Sequence, residues 1–184
     1  MLLNRVSGQK ETYFNEALAQ WDWFCQSGMI NERNLINDSL TGDCANNGGT
    51  EWSYNQGQTL GALVELDAAS GYDYYIDTAH SIAKAAILGL TDSDGILHDP
   101  CEPNCGADAP WFKGIFMRNL QILQAASQSD DYLGFITANA DSPWNQDRND
   151  RNQLSLVWSV PFINPANAST QSSALDALVA AVAF

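Results

Sequence analysis

Aromatic and hydrogen-bonding side chains are concentrated at positions 52–56, where the sequence reads Trp-Ser-Tyr-Asn-Gln. The stretch before them, from Thr41, is rich in glycine and asparagine and is expected to be a loop, since both residues tolerate positive φ angles. A helix should follow, because apolar residues recur at three- and four-residue spacing as far as Leu66. Amide and hydroxyl groups beside an indole at a helix entrance can bind a polyhydroxylated ligand. They can equally cap the helix and close its loop, and the sequence leaves both interpretations open.

Six residues in and around this stretch are the candidate ligand contacts. They are Asp38, Glu51, Trp52, Tyr54, Asn55 and Gln56. The carboxylates, the phenol and the amides would hydrogen-bond sugar hydroxyls, and the indole would stack on the C–H face of a pyranose. The alternative for each is a structural role in capping, loop closure, solvation or the core. Trp111 is a further stacking candidate, for which burial in the core is the favoured interpretation.

The consecutive acids Asp130 and Asp131 are the most conspicuous candidates for acid–base chemistry. Two carboxyl groups roughly 5–5.5 Å apart can perform hydrolysis, with one as nucleophile and the other as acid and base. We interpret the pair as a helix start instead, with the first acid as the cap and the second near the positive end of the helix. No aromatic residue precedes the pair to hold a sugar. We therefore predict no catalytic role for this pair.

The four cysteines divide into a close pair and two distant residues. Cys101 and Cys105 enclose only Glu-Pro-Asn, and this spacing favours a small disulfide loop over two reduced thiols. Cys25 and Cys44 would pair with each other or with residues outside this chain.

Metal ligands and cofactor-binding motifs are not indicated. Zinc would need a second pair of ligands, and neither His80 nor His98 stands at a motif spacing. Residues 91–95, TDSDG, resemble the start of a calcium loop, but the later acids of the EF-hand register are missing. The sequence also lacks phosphate-binding, dinucleotide-binding, HExxH and GxSxG motifs. We predict no metal and no cofactor.

The chain is strongly acidic, with a formal net charge of −14 and eight Lys plus Arg in 184 residues. Nucleic acids and anionic membranes need a basic face, so both are poor partners. The hydrophobic content of 45% is enough for the core of one domain. The N-terminus lacks the apolar run of a signal peptide, and no segment has the roughly 18 apolar residues of a membrane span. Glycosylation sequons at Asn37 and Asn167 favour the secretory route.

Six helices are predicted, and strands are scarce. The predicted ranges are 9–27, 55–69, 73–90, 111–127, 130–139 and 169–184. Gly28 and Gly71 would end the first two, and Asp73 would cap the third. Short links within pairs of helices alternate with long loops, which predicts helical hairpins with the long loops at one end. This is the plan of an α/α toroid; a bundle or a solenoid is the competing arrangement, and the missing 33- or 34-residue repeat weakens the solenoid.

Several segments carry a resemblance to a known family. In chain order they are WFCQSGMINERNLINDSL, CANNGGTEWSYNQGQTLGALVEL, GILHDPCEPNC and FKGIFMRNL. Together with FITANADSPW and VWSVPF, they resemble the C-terminal half of the fungal-type α-1,6-mannanases of glycoside hydrolase family 76. The sequence departs from the family pattern in three details: SYNQGQ, NDSL and WFKG stand where TYNQG, NDGL and QFKG are more usual.

The resemblance implies an (α/α)6 toroid with a cleft for α-1,6-mannan. The activity it implies is that of a retaining endo-glycosidase of the fungal cell wall, secreted or wall-bound, whose two catalytic aspartates lie upstream of the matched region. At about 30 residues per helix, twelve helices need roughly 370 residues. Residues 1–184 would therefore form a single partial domain, about half of a toroid.

Such a fragment is expected to bind α-1,6-mannan or manno-oligosaccharides but to be inactive alone, because the aspartate pair is absent. The alternative is a non-catalytic mannan-binding or scaffold fragment. The sequence leaves the oligomeric state open.

Overall fold

The computed structural model describes residues 10–184, which form helices joined by loops. The six α-helices are α1 (Lys10–Gln26), α2 (Ser53–Ser70), α3 (Tyr74–Gly89), α4 (Phe112–Ala126), α5 (Asp130–Asn145) and α6 (Ala168–Val182). A 3₁₀ turn, Ala109–Trp111, leads into α4. Residues 10–184 contain isolated β-bridges but no strand. The predicted all-α fold class is confirmed.

Most helix boundaries differ from the predicted ones by one or two residues, and the end of the fifth helix differs by more. The second helix, α2, begins at Ser53 rather than at residue 55. The fifth, α5, continues beyond the predicted end at residue 139 to Asn145, although Pro143 lies in its last turns. Ala140 and Pro143 are buried there. Tertiary packing therefore outweighs the poor helix propensity of this segment.

One predicted helix cap is wrong, and another lies at its predicted position without the capping hydrogen bond. Ser129 occupies the cap position of α5, so Asp130 and Asp131 lie inside its first turn. Their carboxylates still face the positive end of the helix dipole. Asp73 precedes α3 with helical backbone angles, and its side chain makes no capping hydrogen bond. Gly71 ends α2 as predicted, with the left-handed φ of 70° that a C-cap glycine adopts.

Helices α2, α4 and α6 pack side by side as an inner layer, with α1, α3 and α5 packed outside them. The inner helices run parallel. Gly57 near the start of α2 lies against the backbone of Phe116 near the start of α4, and Gly114 of α4 lies against Ser173 of α6. Short turns make the hairpins α2–α3 and α4–α5 antiparallel. Leu60 and Leu120 are among the fully buried side chains of the core.

The two edges of the inner layer expose apolar side chains. On α6, Leu175, Val179 and Val182 form one stripe at four- and three-residue spacing, and all three are exposed. At the opposite edge, a groove of about 420 Å³ runs between α1 and α2 and includes Trp23. A ring of hairpins would bury both edges against further hairpins. The described residues are therefore an open arc. No helix in this arc is long and apolar enough to cross a membrane.

Candidate functional site

The three long loops gather at one end of the molecule, which we call the loop surface. They cover residues 27–52, 90–108 and 146–167, and each leads from an outer helix to the start of the next inner helix. The short turns α2–α3 and α4–α5 lie at the opposite end. Asp130 and Asp131 start α5 at that opposite end. The aspartate pair is therefore remote from the loop surface.

Each long loop contains one or two tight hairpin turns of the same form. An isolated antiparallel bridge closes each turn, and the bridged pairs are Ile30–Ile36, Leu40–Asn46, Thr91–Leu97 and Arg148–Leu154. The first residue inside each turn accepts backbone N–H groups through its side-chain oxygen; these are Asn31, Thr41, Asp92 and Asn149. The residue three positions later has a positive φ; these are Asn34, Cys44, Gly95 and Asn152. The turns make much of the loop surface regular.

One of these turns accounts for the calcium-like segment TDSDG. Asp92 Oδ1 accepts the backbone N–H groups of Asp94 at 2.9 Å and Ile96 at 3.0 Å. The carboxylate therefore holds the loop backbone. In residues 10–184 no three His, Cys, Asp or Glu side chains are arranged to hold a metal. The recurring turn escaped the sequence analysis, although its signal is present as Asn, Thr or Asp three residues before Asn, Cys or Gly.

Trp52, Tyr54 and Phe112 form an aromatic cluster where α2 and α4 begin. The ring centroids of Tyr54 and Phe112 are 4.2 Å apart, and those of Trp52 and Phe112 are 5.6 Å apart at a steep angle. Trp52 and Tyr54 are half-buried, so part of each ring faces solvent. Trp111 is 49% exposed. The expectation that Trp111 joins the core is wrong, because the 3₁₀ turn buries Pro110 in its place.

Asn55 and Asp38 add polar groups near Tyr54. The Asn55 Nδ2 is buried and has no hydrogen-bond partner within residues 10–184. Asp38 is exposed on the preceding loop. Burial and the charge of Asp38 raise the pKa of the Tyr54 phenol, against the opposing effect of Asn55. The phenol therefore stays protonated and can donate as well as accept.

Glu51 is held by protein groups. Its carboxylate forms an ion pair with the Arg33 guanidinium at 2.5 Å and accepts from Asn31 Nδ2 at 2.5 Å. Arg33 and Glu51 also line an open depression of about 530 Å³ together with Asn37 and Pro100. Glu51 closes its loop and at the same time forms part of the wall of this depression.

Gln56 is fully buried, and the structure corrects its predicted role as a ligand contact. Its Oε1 accepts the N–H of Ile36 at 2.8 Å. Its Nε2 donates to the carbonyls of Ile36 at 2.9 Å and Trp52 at 3.0 Å. The amide therefore joins the first hairpin turn to the start of α2 and has no free group for a sugar.

Asp99 caps α2 from a different loop. Its carboxylate accepts the backbone N–H of Ser53 at 2.8 Å and the Ser53 hydroxyl at 2.6 Å. Asp99 is buried, which raises its pKa, whereas the bonds from Ser53 and the charge of Lys113 oppose that rise. Because Asp99 and Ser53 are far apart in sequence, no local pattern reveals this cap.

Lys113 is buried in the first turn of α4 and is surrounded by partners. Its Nζ lies 2.9 Å from Glu102 Oε1, donates to the Leu156 carbonyl at 2.7 Å, and stands 4.3 Å from the centre of the Trp158 ring. Burial lowers the pKa of Lys113, and Glu102 raises it. The pair joins the second long loop to the third through α4.

Two of the four cysteines form a disulfide, and the other two are free thiols. Cys101 and Cys105 form a disulfide on either side of Glu102. Cys25 on α1 and Cys44 in a hairpin turn are exposed free thiols. Cys25 and Cys44 are therefore not paired with each other in this structure.

Asp147 is a further buried carboxylate that anchors a loop. It accepts the backbone N–H of Ser155 at 2.7 Å and also the Ser155 hydroxyl. Burial raises the pKa of Asp147 from 3.8 to about 6, although the Ser155 bonds and the charge of Lys113 lower it. The carboxylate fixes the last hairpin turn, residues 148–154, in the third loop.

We expect Asp147 to make folding less favourable as the pH rises from about 4 to 6. The folded state binds a proton in this window that the unfolded state has already released, so its contribution is largest below pH 4 and is lost above pH 6. The loss is on the order of 3 kcal/mol for a shift of about two pKa units. Urea unfolding of the wild type and Asp147→Asn between pH 4 and 7 measures it.

The Asp147→Asn curve should lack this downward component, whatever its stability at pH 4. The exposed Asp150→Asn on the same loop changes the net charge equally and serves as the control. Parallel curves for the wild type and Asp147→Asn would contradict the assignment.

Taken together, the loop surface offers aromatic faces, amides and a phenol on a stiff scaffold. Trp52, Tyr54, Asn55 and Asp38 lie near one another, whereas Glu51 and Gln56 hold the loops. The buried carboxylates are engaged in anchoring. Such a surface suits a neutral ligand that is rich in hydroxyl groups.

Comparison with protein families and curated proteins gives consistent matches. The sequence model described as glycosyl hydrolase family 76 matches residues 2–183. A putative mannan endo-1,6-alpha-mannosidase of Schizosaccharomyces pombe is 29% identical over 117 residues, which is 60% of this chain and 26% of that protein. The mannan endo-1,6-alpha-mannosidase DCW1 of Candida albicans is 29% identical over 128 residues, which is 64% of this chain and 28% of that protein. The matches span about a quarter of these relatives' length.

Solved structures share the fold. The Lin0763 protein of Listeria innocua superposes with a TM-score of 0.80 at 22% identity, over 99% of this chain and 51% of that chain. Dfg5 of Chaetomium thermophilum in complex with glucosamine superposes with a TM-score of 0.77 at 19% identity, over 93% of this chain and 45% of that chain. An inactive α-1,6-mannanase variant of Salegentibacter sp. HEL1_6 in complex with α-1,6-mannotetrose superposes with a TM-score of 0.65 at 24% identity. The superposition covers 72% of this chain and 40% of that chain. The open arc therefore corresponds to about half of each of these α/α toroids.

Proposed function

Because this chain belongs to glycosyl hydrolase family 76, we propose that it forms about half of an (α/α)6 domain whose cleft binds and hydrolyses α-1,6-mannan. The observation that carries the proposal is the aromatic cluster of Trp52, Tyr54 and Phe112, with the unpartnered amide of Asn55 beside it. The named activities of the two fungal relatives support the same substrate. We also propose that the protein follows the secretory route, which its two glycosylation sequons favour.

The loop surface would act as one wall of the cleft. Pyranose rings carry apolar C–H faces that pack on aromatic rings, and Trp52 and Trp111 present such rings. The Asn55 Nδ2 would donate to a sugar oxygen, and the Asp38 carboxylate would accept from a hydroxyl. Buried hydrogen bonds of this kind contribute about 1 kcal/mol each.

Cleavage would need a carboxyl pair from outside this chain. Retaining hydrolysis requires two carboxyl groups about 5–5.5 Å apart at the sugar. Asp99 and Asp147 are buried and committed to loop backbone, and Asp130 and Asp131 start α5 at the far end. We propose that residues 1–184 alone bind mannan without cleaving it, as a partial domain.

The apolar edges of the open arc support the same interpretation. The stripe on α6 and the groove between α1 and α2 both end the inner layer. Three more hairpins would cover them and close a ring. A second candidate function, a non-catalytic mannan-binding or scaffold unit, is favoured by the engagement of the buried carboxylates in loop anchoring.

We expect Trp52→Ala to weaken binding of α-1,6-mannotetraose about tenfold, since losing a stacking face costs about 1.4 kcal/mol. Asn55→Ala should weaken it by roughly threefold to tenfold through one lost hydrogen bond. Isothermal titration calorimetry measures both, and circular dichroism verifies that each variant is folded.

Tyr72→Ala is the matched control, because Tyr72 is an exposed aromatic residue in the α2–α3 turn at the opposite end. Its affinity should equal that of the wild type. A reducing-end assay with α-1,6-mannan tests whether residues 1–184 alone cleave the polymer. Both candidate functions predict that they do not. Absence of binding, or equal losses in all three variants, would contradict the proposal; cleavage by this chain alone would show that a catalytic pair lies within it.

A further inference from the structure

The two glycosylation sequons of the chain lie in different structural settings. They are Asn37-Asp38-Ser39 and Asn167-Ala168-Ser169. A glycan is bulky and hydrated, so it can remain only on an asparagine whose amide nitrogen faces solvent in the folded protein. The surroundings of each Nδ2 therefore decide which sequon is compatible with the fold.

Asn37 is only 6% exposed, and both its amide nitrogen and its amide oxygen form hydrogen bonds. Nδ2 donates to the Gly49 carbonyl at 2.6 Å. Oδ1 accepts from Asn31 Nδ2 at 3.1 Å and from Asn46 Nδ2 at 2.9 Å. Asn37 therefore holds three parts of the first loop together. A sugar on its nitrogen would disturb the bond to the Gly49 carbonyl and this network, even though an open depression lies beside Asn37.

Asn167 presents the opposite arrangement. It is exposed at the cap position of α6, where its Oδ1 accepts the backbone N–H groups of Ser169 at 2.9 Å and Thr170 at 3.1 Å. Its Nδ2 makes no hydrogen bond within the part of the chain that the structure describes. The cap uses the oxygen, and the nitrogen is left for substitution. A glycan on Nδ2 would therefore leave the helix cap intact.

The space beside Asn167 can receive a sugar. An open cavity of about 500 Å³ lies between the disulfide loop and the segment before α6, and Asn167 is on its wall. Asn104, Ile163 and Pro165 are among the other residues around it. The first sugar of a glycan has room here without displacing a buried side chain.

We infer that Asn167 carries an N-linked glycan and that Asn37 remains unmodified. In the reaction, the Asn167 Nδ2 forms a bond to the anomeric carbon of a lipid-diphosphate-linked oligosaccharide. The bond from that carbon to the lipid diphosphate breaks, the lipid diphosphate leaves, and Nδ2 loses one proton. The inference rests on the secretory route of the proposed function, but not on mannan binding or cleavage.

The full chain, expressed in yeast behind a cleavable secretory leader, tests the assignment. Trypsin separates the two sequons, because Asn37 lies between Arg33 and Lys84 and Asn167 follows Arg151, the last basic residue. Mass spectrometry before and after an amidase that removes N-glycans should find the conversion of Asn to Asp in the C-terminal peptide alone. Protein is taken from both cells and medium, so retention inside the cell does not hide the result.

Asn167→Asp is the sharpest variant, because an aspartate oxygen caps α6 equally well but accepts no glycan. It should abolish the mass shift while its melting temperature stays at that of wild-type protein made with N-glycosylation blocked, which retains Asn167. Ser39→Ala should leave the shift unchanged. An unmodified C-terminal peptide in both fractions, or a glycan on the peptide of Asn37, would overturn the inference. Titration of the same deglycosylated protein with α-1,6-mannotetraose reports on mannan binding separately.

Discussion

Lys113→Ala is expected to destabilise the fold by about 3–5 kcal/mol, a large part of the total stability of a domain of this size. The substitution leaves the buried Glu102 carboxylate without its cation at 2.9 Å and the Leu156 carbonyl without its donor. It also removes the cation over the Trp158 ring. Chemical denaturation followed by tryptophan fluorescence measures the loss.

Arg118→Ala is the matched control on the same helix. Arg118 is exposed and lies 3.9 Å from Asp176, so its loss should cost no more than about 1 kcal/mol. The double variant Lys113→Met with Glu102→Gln should recover part of the stability, since it buries no lone charge. If Lys113→Ala costs as little as Arg118→Ala, the buried ion pair does not hold the loops.

Gly57→Ala is expected to destabilise the fold by about 3 kcal/mol, because α2 and α4 touch at this position. A Cβ on Gly57 would stand 2.5 Å from the Phe116 Cα and 2.9 Å from the Ile115 carbonyl oxygen. These are backbone atoms, so no side-chain rotation relieves the clash and the two helices must separate. A Cβ on Gly114 would stand 2.6 Å from the Ser173 Cα, so Gly114→Ala should destabilise the fold to a similar extent.

Gly134→Ala supplies the control within a helix. A Cβ there meets nothing within 4 Å, and alanine favours the helix by about 1 kcal/mol over glycine. Thermal unfolding should therefore show Gly134→Ala unchanged or stabilised and Gly57→Ala strongly lowered. Equal effects of the two substitutions would show that the close contact between α2 and α4 at Gly57 does not determine the stability of the fold.

The helices and their pairing could be predicted because they depend on local pattern. Apolar spacing marked all six helices, and Gly71 marked the end of α2 through its left-handed φ. The alternation of short and long connections indicated hairpins with their loops at one end. Propensity failed at the end of α5, where burial of Ala140 and Pro143 extends the helix.

The candidate site was only partly predictable, because its support comes from distant residues. The cluster of Trp52, Tyr54 and Asn55 was visible as a local concentration of residue types. Whether Gln56 faces a ligand or Ile36 depends on how the first loop folds back. The buried partners of Ser53 and Lys113 likewise come from other loops, and a single sequence carries no mark of such pairs.

The parallel inner helices give the loop surface an electric field of its own. Each helix start corresponds to roughly half a positive charge, so α2, α4 and α6 together direct about 1.5 charges to this end. The rest of a molecule with a net charge of −14 produces a field of the opposite sign. The field of the helix starts favours the ionised form of carboxylates at this end and opposes the rise in pKa that burial causes at Asp99. In a closed ring, the same field would help a nucleophilic carboxylate to stay ionised. The negative charge of the remaining surface would favour its protonated form.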